Sequence, residues 1–203
     1  MWNERYAAAR GYLFGTEAAD FVKRAAPRLR PGARVLCLAD GEGRNSVYLA
    51  GLGMSVTATD YSDVAQEKAR ALALARGVSV DFRLGDIGSW VWEPGRWDAV
   101  LAVFIQFAEP PLRDAIFAGM QRTLAPGGLV LLHGYTPRQI GFGTGGPKQV
   151  DQLYTTDLLR EKFGAMEILR LAEYDAEIHE GEGHSGQSAL IDLIARKPAK
   201  AAR

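Results

Sequence analysis

Between residues 34 and 133 the chain alternates short apolar runs with stretches of helical periodicity, and few folds accept that order. The runs lie at 34–38 (RVLCL), 54–59 (MSVTAT), 78–84 (VSVDFRL), 97–104 (WDAVLAVF) and 128–133 (GLVLLH). Several are apolar almost throughout, as strands covered on both faces must be. Helical patterns at 44–52, 62–76 and 112–124 lie between them. Ser62 stands where an N-cap belongs, Gly77 where a helix stops, and Ala125-Pro126-Gly127-Gly128 forms another stop. A β-α-β-α order of this kind predicts a parallel sheet with helices on both faces.

Beyond residue 134 the pattern changes. A helix capped by Thr155 or Thr156 runs to Phe163, and 165–176 and 188–196 (SALIDLIAR) read as strands separated by a polar, glycine-rich segment. Two strands joined without a helix pair antiparallel. The expected fold is therefore α/β, a mostly parallel seven-stranded sheet finished by a C-terminal antiparallel hairpin, with one or two helices before residue 29 packed outside the first strand. A chain of 203 residues suits one domain.

Charge and cysteine content narrow the function classes. Lys plus Arg and Asp plus Glu number 24 each. A nucleic-acid partner, which favours a basic excess, is not expected. The one cysteine, Cys37, cannot pair within the chain, which fits a reducing cytoplasm. The N-terminus has no apolar signal-peptide core, and no apolar run approaches the ~20 residues of a membrane helix. A monomer or homodimer in the cytoplasm, without metal, is the expectation.

The chemistry concentrates where strands end. The segment Val35-Leu36-Cys37-Leu38-Ala39-Asp40-Gly41-Glu42-Gly43-Arg44-Asn45 reads as a strand, a Gly-x-Gly turn and a helix start. Glycines there allow positive φ and close backbone approach to a ligand, and the helix start offers free N–H groups; a plain tight turn is the alternative. Asp60 ends the second run, roughly 20 residues on, where an acid accepts the ribose hydroxyls of an adenine nucleoside; capping the next helix is its other reading. Tyr61 follows it. Asp86, after the third run, can accept from an adenine amine with Ile87 on the ring, or be a turn aspartate. A dinucleotide fingerprint has a third glycine where Ser46 stands.

In order, these residues resemble the class I S-adenosylmethionine-dependent methyltransferases, and most closely the small bacterial branch that includes the tellurite-resistance and thiopurine enzymes. Gly41-Glu42-Gly43-Arg44-Asn45, the pair Leu49-Ala50, and Leu124-Ala125-Pro126-Gly127-Gly128 carry the likeness. It implies a Rossmann-like fold, S-adenosylmethionine as cofactor and S-adenosylhomocysteine as product. It implies a cofactor site from Ala39, Asp40, Gly41, Gly43, Asn45, Asp60, Tyr61, Asp86 and Ile87, with Phe104 and Gln106 after the fourth strand. The chain then divides into an N-terminal helical cap (1–30), a cofactor-binding core (31–133), and a substrate loop with C-terminal strands (134–203). Cys37 stands where the family places an acid, Ala39 where it places glycine, and Asp40 where it often has a small residue. Asp40 is the candidate to replace the missing acid at the methionyl ammonium.

The acceptor is expected to be a small molecule: a thiol, metalloid oxyanion, amine or hydroxyl compound. Transfer would be an in-line displacement driven mainly by positioning. His133 and Tyr135 are the candidates for a base or substrate hydrogen bonds. The glycine-rich stretch 141–147 reads as a lid, or as a plain connection. Tyr12 and Phe14 are placed to close over the cofactor, and Trp2, Arg5 and Tyr6 over the acceptor. His179 and His184 read as part of a solvated hairpin turn, with a metal or substrate loop as the alternative. Two rival classes stay open: a nicotinamide-dependent oxidoreductase and a non-catalytic cofactor-binding module.

Overall fold

A computed structural model describes residues 2–199. The elements run α1 (Trp2–Ala8), α2 (Asp20–Ala25), β1 (Arg34–Leu38), α3 (Arg44–Gly51), β2 (Ser55–Asp60), α4 (Asp63–Ala75), β3 (Asp81–Leu84) and β4 (Trp97–Val103). There follow α5 (Pro110–Thr123), β5 (Leu124–Tyr135), α6 (Gln139–Phe142), α7 (Thr156–Phe163), β6 (Glu167–Glu180) and β7 (His184–Arg196).

All seven strands join one sheet in the order β3-β2-β1-β4-β5-β7-β6. The strands through β5 are parallel, and β7 runs antiparallel to both β5 and β6. This is the Rossmann-like sheet that the alternation predicts, hairpin included. The period of two along β1 explains the layers. Val35 and Cys37 pack with Phe21 and Val22 of α2 and Leu49 of α3. Leu36 and Leu38 pack with Ile116, Phe117 and Met120 of α5. Each such side chain contributes ~1.5–3 kcal/mol when buried, so neither face of β1 tolerates a polar residue cheaply.

The helix caps follow the sequence. Ser62 Oγ accepts the Ala65 N–H at 3.0 Å, and Thr155 Oγ1 accepts the Leu158 N–H at 3.1 Å. Strand limits differ in three places. β3 starts at Asp81, opposite Thr57, and not at Val78. β5 starts four residues early because Leu124 already pairs with Trp97; the ladder shifts between Trp97 and Ala99, and that irregularity accommodates Pro126. The polar segment between the last two strands is itself strand, paired until Glu180 faces His184. Along β6 half-buried and exposed positions alternate, so its polar residues cost little on the outer edge.

β1 and β4 are neighbours whose onward connections diverge, to β2 on one side and β5 on the other. In open α/β sheets a cleft opens at this switch point, above the carboxyl ends of the strands. No helix among the described residues is long and apolar enough to cross a membrane.

Candidate active site

A cavity of about 90 Å³ lies in that cleft, between the ends of β1, β2 and β4. Its floor is the turn after β1. Gly41 and Gly43 take φ of +60° and +86°, and Ala39, where the family has glycine, takes +45°. The turn is held by Asp60 at the end of β2. Its Oδ2 accepts the Gly41 N–H and its Oδ1 the Ser62 N–H, each at 2.8 Å. One carboxylate thus fixes both the glycine turn and the start of α4, so the ribose-acid and helix-start readings of Asp60 meet in one residue. Burial raises its pKa, against these backbone N–H groups.

Asp40 lines the same cavity and accepts from Ser46 Oγ. Burial pushes its carboxyl up to about 7; the Asp60 charge adds to this, while Ser46 and Arg44 oppose it. Cys37 is buried in the core, its thiol pKa raised by burial and by Asp40. Asn45 also reaches the cavity, and its Oδ1 accepts the Ala19 N–H at 3.0 Å.

The N-terminal segment forms the roof. Trp2, Tyr6 and Phe14 pack together with ring centroids 5.7–6.3 Å apart. Buried Glu42 pairs with Lys68 at 3.0 Å, and Lys68 Nζ also donates to the carbonyls of Tyr6 and Gly11. This clamp on the roof was not legible beforehand, because its parts come from three separated segments. Tyr12 instead donates to the Lys68 carbonyl and packs beside Val47 and Leu72 of α3 and α4.

The far wall follows β4. Phe104 has φ +56°, a strained conformation for a bulky residue, and its N–H donates to the His133 carbonyl at 2.9 Å. Its ring lies 4.4 Å from His184, 4.5 Å from Tyr135 and 4.8 Å from His133. His184 lines the cavity. The turn that carries it is tucked against the roof on one side, where a Cβ on Gly181 would meet Leu13 and Gly15 and one on Gly183 would meet Phe14; His179 and Glu182 stay exposed, so the solvated-turn reading holds for His179 and fails for His184.

Of the expected cofactor residues, Ala39, Asp40, Gly41, Asn45, Asp60, Tyr61 and Phe104 line the cavity together. Gly43 caps α3 behind it, where a Cβ would strike Ala69. Asp86 borders a separate surface groove beside β3, and Ile87 is buried in the core. Gln106 is committed to backbone: its amide donates to the Tyr135 and Gln152 carbonyls and accepts the Tyr135 N–H. His133 is buried against Phe21, and its Nδ1 donates to Asp192 at 2.8 Å. The Tyr135 hydroxyl is buried without a partner, with Gly145 and Gly146 of the glycine-rich stretch against its ring. That stretch is tied down, since Thr144 donates to the Gln187 carbonyl and Gln139 donates to Thr144.

Residues 35–128 match the family described as a methyltransferase domain. A ubiquinone biosynthesis O-methyltransferase from Xanthomonas campestris is 36% identical over 104 residues, which is 50% of this chain and 43% of the relative. The chain thus spans less than half the length of the curated relatives it matches first. TehB from Haemophilus influenzae superposes with a TM-score of 0.74 at 23% identity, over 90% of this chain and 63% of that one. Magnesium protoporphyrin IX methyltransferase from Synechocystis, solved with S-adenosylhomocysteine bound, superposes at 0.65 with 20% identity, over 87% and 79%. At such identities the structural likeness is one of fold. Residues 35–128 thus match a methyltransferase domain, and the chain as a whole shares the fold of the solved methyltransferases.

Proposed function

We propose that the chain transfers a methyl group from S-adenosylmethionine to a small-molecule acceptor. The observation that carries this reading is the convergence of Asp60, Asp40 and the Gly41 turn on one cavity at the switch point of the sheet. The donor set fits the cofactor. Asp60 keeps a lone pair free beyond its backbone N–H partners at Gly41, Tyr61 and Ser62, able to accept from a ribose hydroxyl. Gly41 presents bare backbone, and Asp40 offers a carboxyl to an ammonium.

When bound, the cofactor supplies a methyl group on a sulfonium that is already electrophilic. The protein's part is to hold and to exclude water. Asp60 and the Gly41 turn fix the nucleoside end. Asp40, three residues beyond Cys37, takes the place of the family's acid at the amino-acid end. The aromatic roof and Phe104 close the site to solvent. Orientation of this kind supplies ~7–11 kcal/mol of barrier reduction in favourable cases. Tyr135, kept protonated because burial raises its pKa, packs against Phe104 with its hydroxyl buried and outside the cavity lining. His133, fastened to Asp192, holds Phe104 from behind. The O-methyltransferase name of the relatives favours an oxygen acceptor over a thiol, a metalloid oxyanion or an amine.

Calorimetric titration with S-adenosylmethionine and S-adenosylhomocysteine, repeated on Asp60→Ala, tests the reading. Micromolar binding that weakens at least ~tenfold in the variant, as loss of a charge-assisted hydrogen bond predicts, supports it. A folded wild type that binds neither, or prefers NAD(H), overturns it.

A further inference from the structure

We propose that His184, at the tip of the β6–β7 hairpin, removes the proton from the acceptor, and that the acceptor is a small phenol. This deepens the methyltransferase reading and rests on it. His184 lies outside the matched domain, yet it lines the same cavity as Asp40 and Asp60. Its side chain is 12% exposed. Phe14 and Phe104 flank the ring with centroids 4.4 Å away, and Tyr135 stands edge-on at 5.8 Å.

The ring is held by that packing, with Glu180 on its Nδ1 side. Nδ1 has no hydrogen-bond partner and lies 3.7 Å from Glu180 Oε2. That oxygen is held by Arg44 at 2.6 Å. An anionic carboxylate on the Nδ1 side favours the tautomer with its proton there, which leaves the Nε2 lone pair for a ligand. The charged and titratable groups facing His184 are Glu180, Arg44, His133 and Tyr135. Burial lowers the His184 pKa, Arg44 and His133 act in the same sense, and Glu180 opposes them. The imidazole is therefore neutral near pH 7 and able to accept a proton. Burial raises the Glu180 pKa, but His184 and Arg44 outweigh it and hold the carboxyl down at about 2. It stays ionised and faces the imidazolium once that forms.

The walls and the base together select the acceptor class. Phe104, Phe107 and Trp2 line the cavity and suit a flat apolar body. A phenol, with a pKa near ~10 like tyrosine, needs a base to become nucleophilic at neutral pH; a thiol near ~8.5 needs one less. A carboxylate needs none and meets the Glu180 charge. In the step, the phenol oxygen forms its bond to the methyl carbon as the methyl–sulfur bond breaks. That electron pair stays on sulfur, giving the neutral thioether. The phenol proton passes to His184 Nε2 and then to water.

The test uses 4-nitrophenol, whose ionisation is visible, on the full chain saturated with S-adenosylhomocysteine. The expected result is that bound 4-nitrophenol ionises at lower pH than the free compound. His184→Gln and His184→Phe, the latter preserving the ring packing, should still bind S-adenosylhomocysteine but abolish that shift. Turnover of 4-nitrophenol with S-adenosylmethionine should fall by ~10²-fold or more in both, as loss of a general base predicts. The same ionisation in wild type and variants, or no binding of the phenol to the loaded wild type, overturns the proposal and leaves the cofactor reading standing. Failure of the folded wild type to bind S-adenosylhomocysteine overturns that underlying reading, and this proposal with it.

Discussion

The Tyr6 hydroxyl lies 2.8 Å from the point that a Cβ on Gly41 would occupy. The roof therefore rests directly on the glycine turn, and the absence of a side chain at position 41 is what lets it settle there. Gly41→Ala meets two penalties, a left-handed φ worth ~1–2 kcal/mol and a collision with the phenol. The expected outcome is a lower melting temperature and S-adenosylhomocysteine binding weakened at least ~tenfold, since each 1.4 kcal/mol is a factor of ten. Adding Tyr6→Phe should recover part of the melting temperature and not all of it. A double-mutant cycle by thermal denaturation reads the difference.

Asp40 predicts a pH dependence of the free protein. Its folded pKa of about 7 lies above the ordinary 3.8, so the folded state holds the proton more tightly than the unfolded chain. Stability should then fall as pH rises between about 4 and 7, and level off above that. Asp60, also raised, contributes in the same sense. Asp40→Asn should flatten the slope without removing it, as melting curves across this range would show. If Asp40 meets the methionyl ammonium, wild-type cofactor affinity should rise as pH climbs through 7, and that rise should vanish in the variant.

Glu180 acts in the opposite direction. Its carboxyl is held at about 2, below the ordinary 4.5, so the stability it brings is complete above 4.5 and is lost as pH falls toward 2. Glu180→Gln should cost on the order of 3 kcal/mol at pH 7 and little near pH 2. Urea denaturation at the two pH values measures this. A variant that loses the same stability at both would refute the ion-pair account.

The network behind the far wall predicts a purely structural loss. Asp192 is fully buried and accepts from His133 at 2.8 Å, Tyr174 at 3.0 Å and Arg170 at 3.0 Å. These partners hold its pKa low in spite of burial. Asp192→Asn should destabilise by ~3–5 kcal/mol, as removal of one member of a buried pair does. Tyr174→Phe should cost about 1 kcal/mol. Both are readable from chemical denaturation, and Tyr174→Phe should leave S-adenosylhomocysteine affinity unchanged in the fraction that folds.

Local signals carried most of the fold. The period of two in Val35–Leu38 names both core faces, and Ser62 and Thr155 mark helix starts that the structure keeps. The turn after β1 and Asp60 were legible for the same reason: a strand, a turn and a helix start lie within one short stretch. The rest of the cavity is made by contacts distant in sequence. Phe14 meets His184, Glu42 meets Lys68, and Arg44 meets Glu180 across 136 positions. No periodicity announces such pairs. Gln106 illustrates the converse. A polar residue after a strand reads as ligand-facing, while here it satisfies backbone groups that a buried loop would otherwise leave unpaired.

β7 follows β6 in the chain but lies between β5 and β6 in the sheet. During synthesis β6 therefore emerges with no partner to pair with, and the edge of β5 stays bare until β7 arrives to fill the gap. Five of the seven strands can assemble on the ribosome; the other two must enter as a unit. For that interval the bare edge of β5 and the unpaired β6 coexist in one nascent chain, which is the circumstance in which strand edges pair with the wrong partner. Nonsense or frameshift changes that delete β7 alone should on this account be more harmful to solubility than changes that delete the whole hairpin.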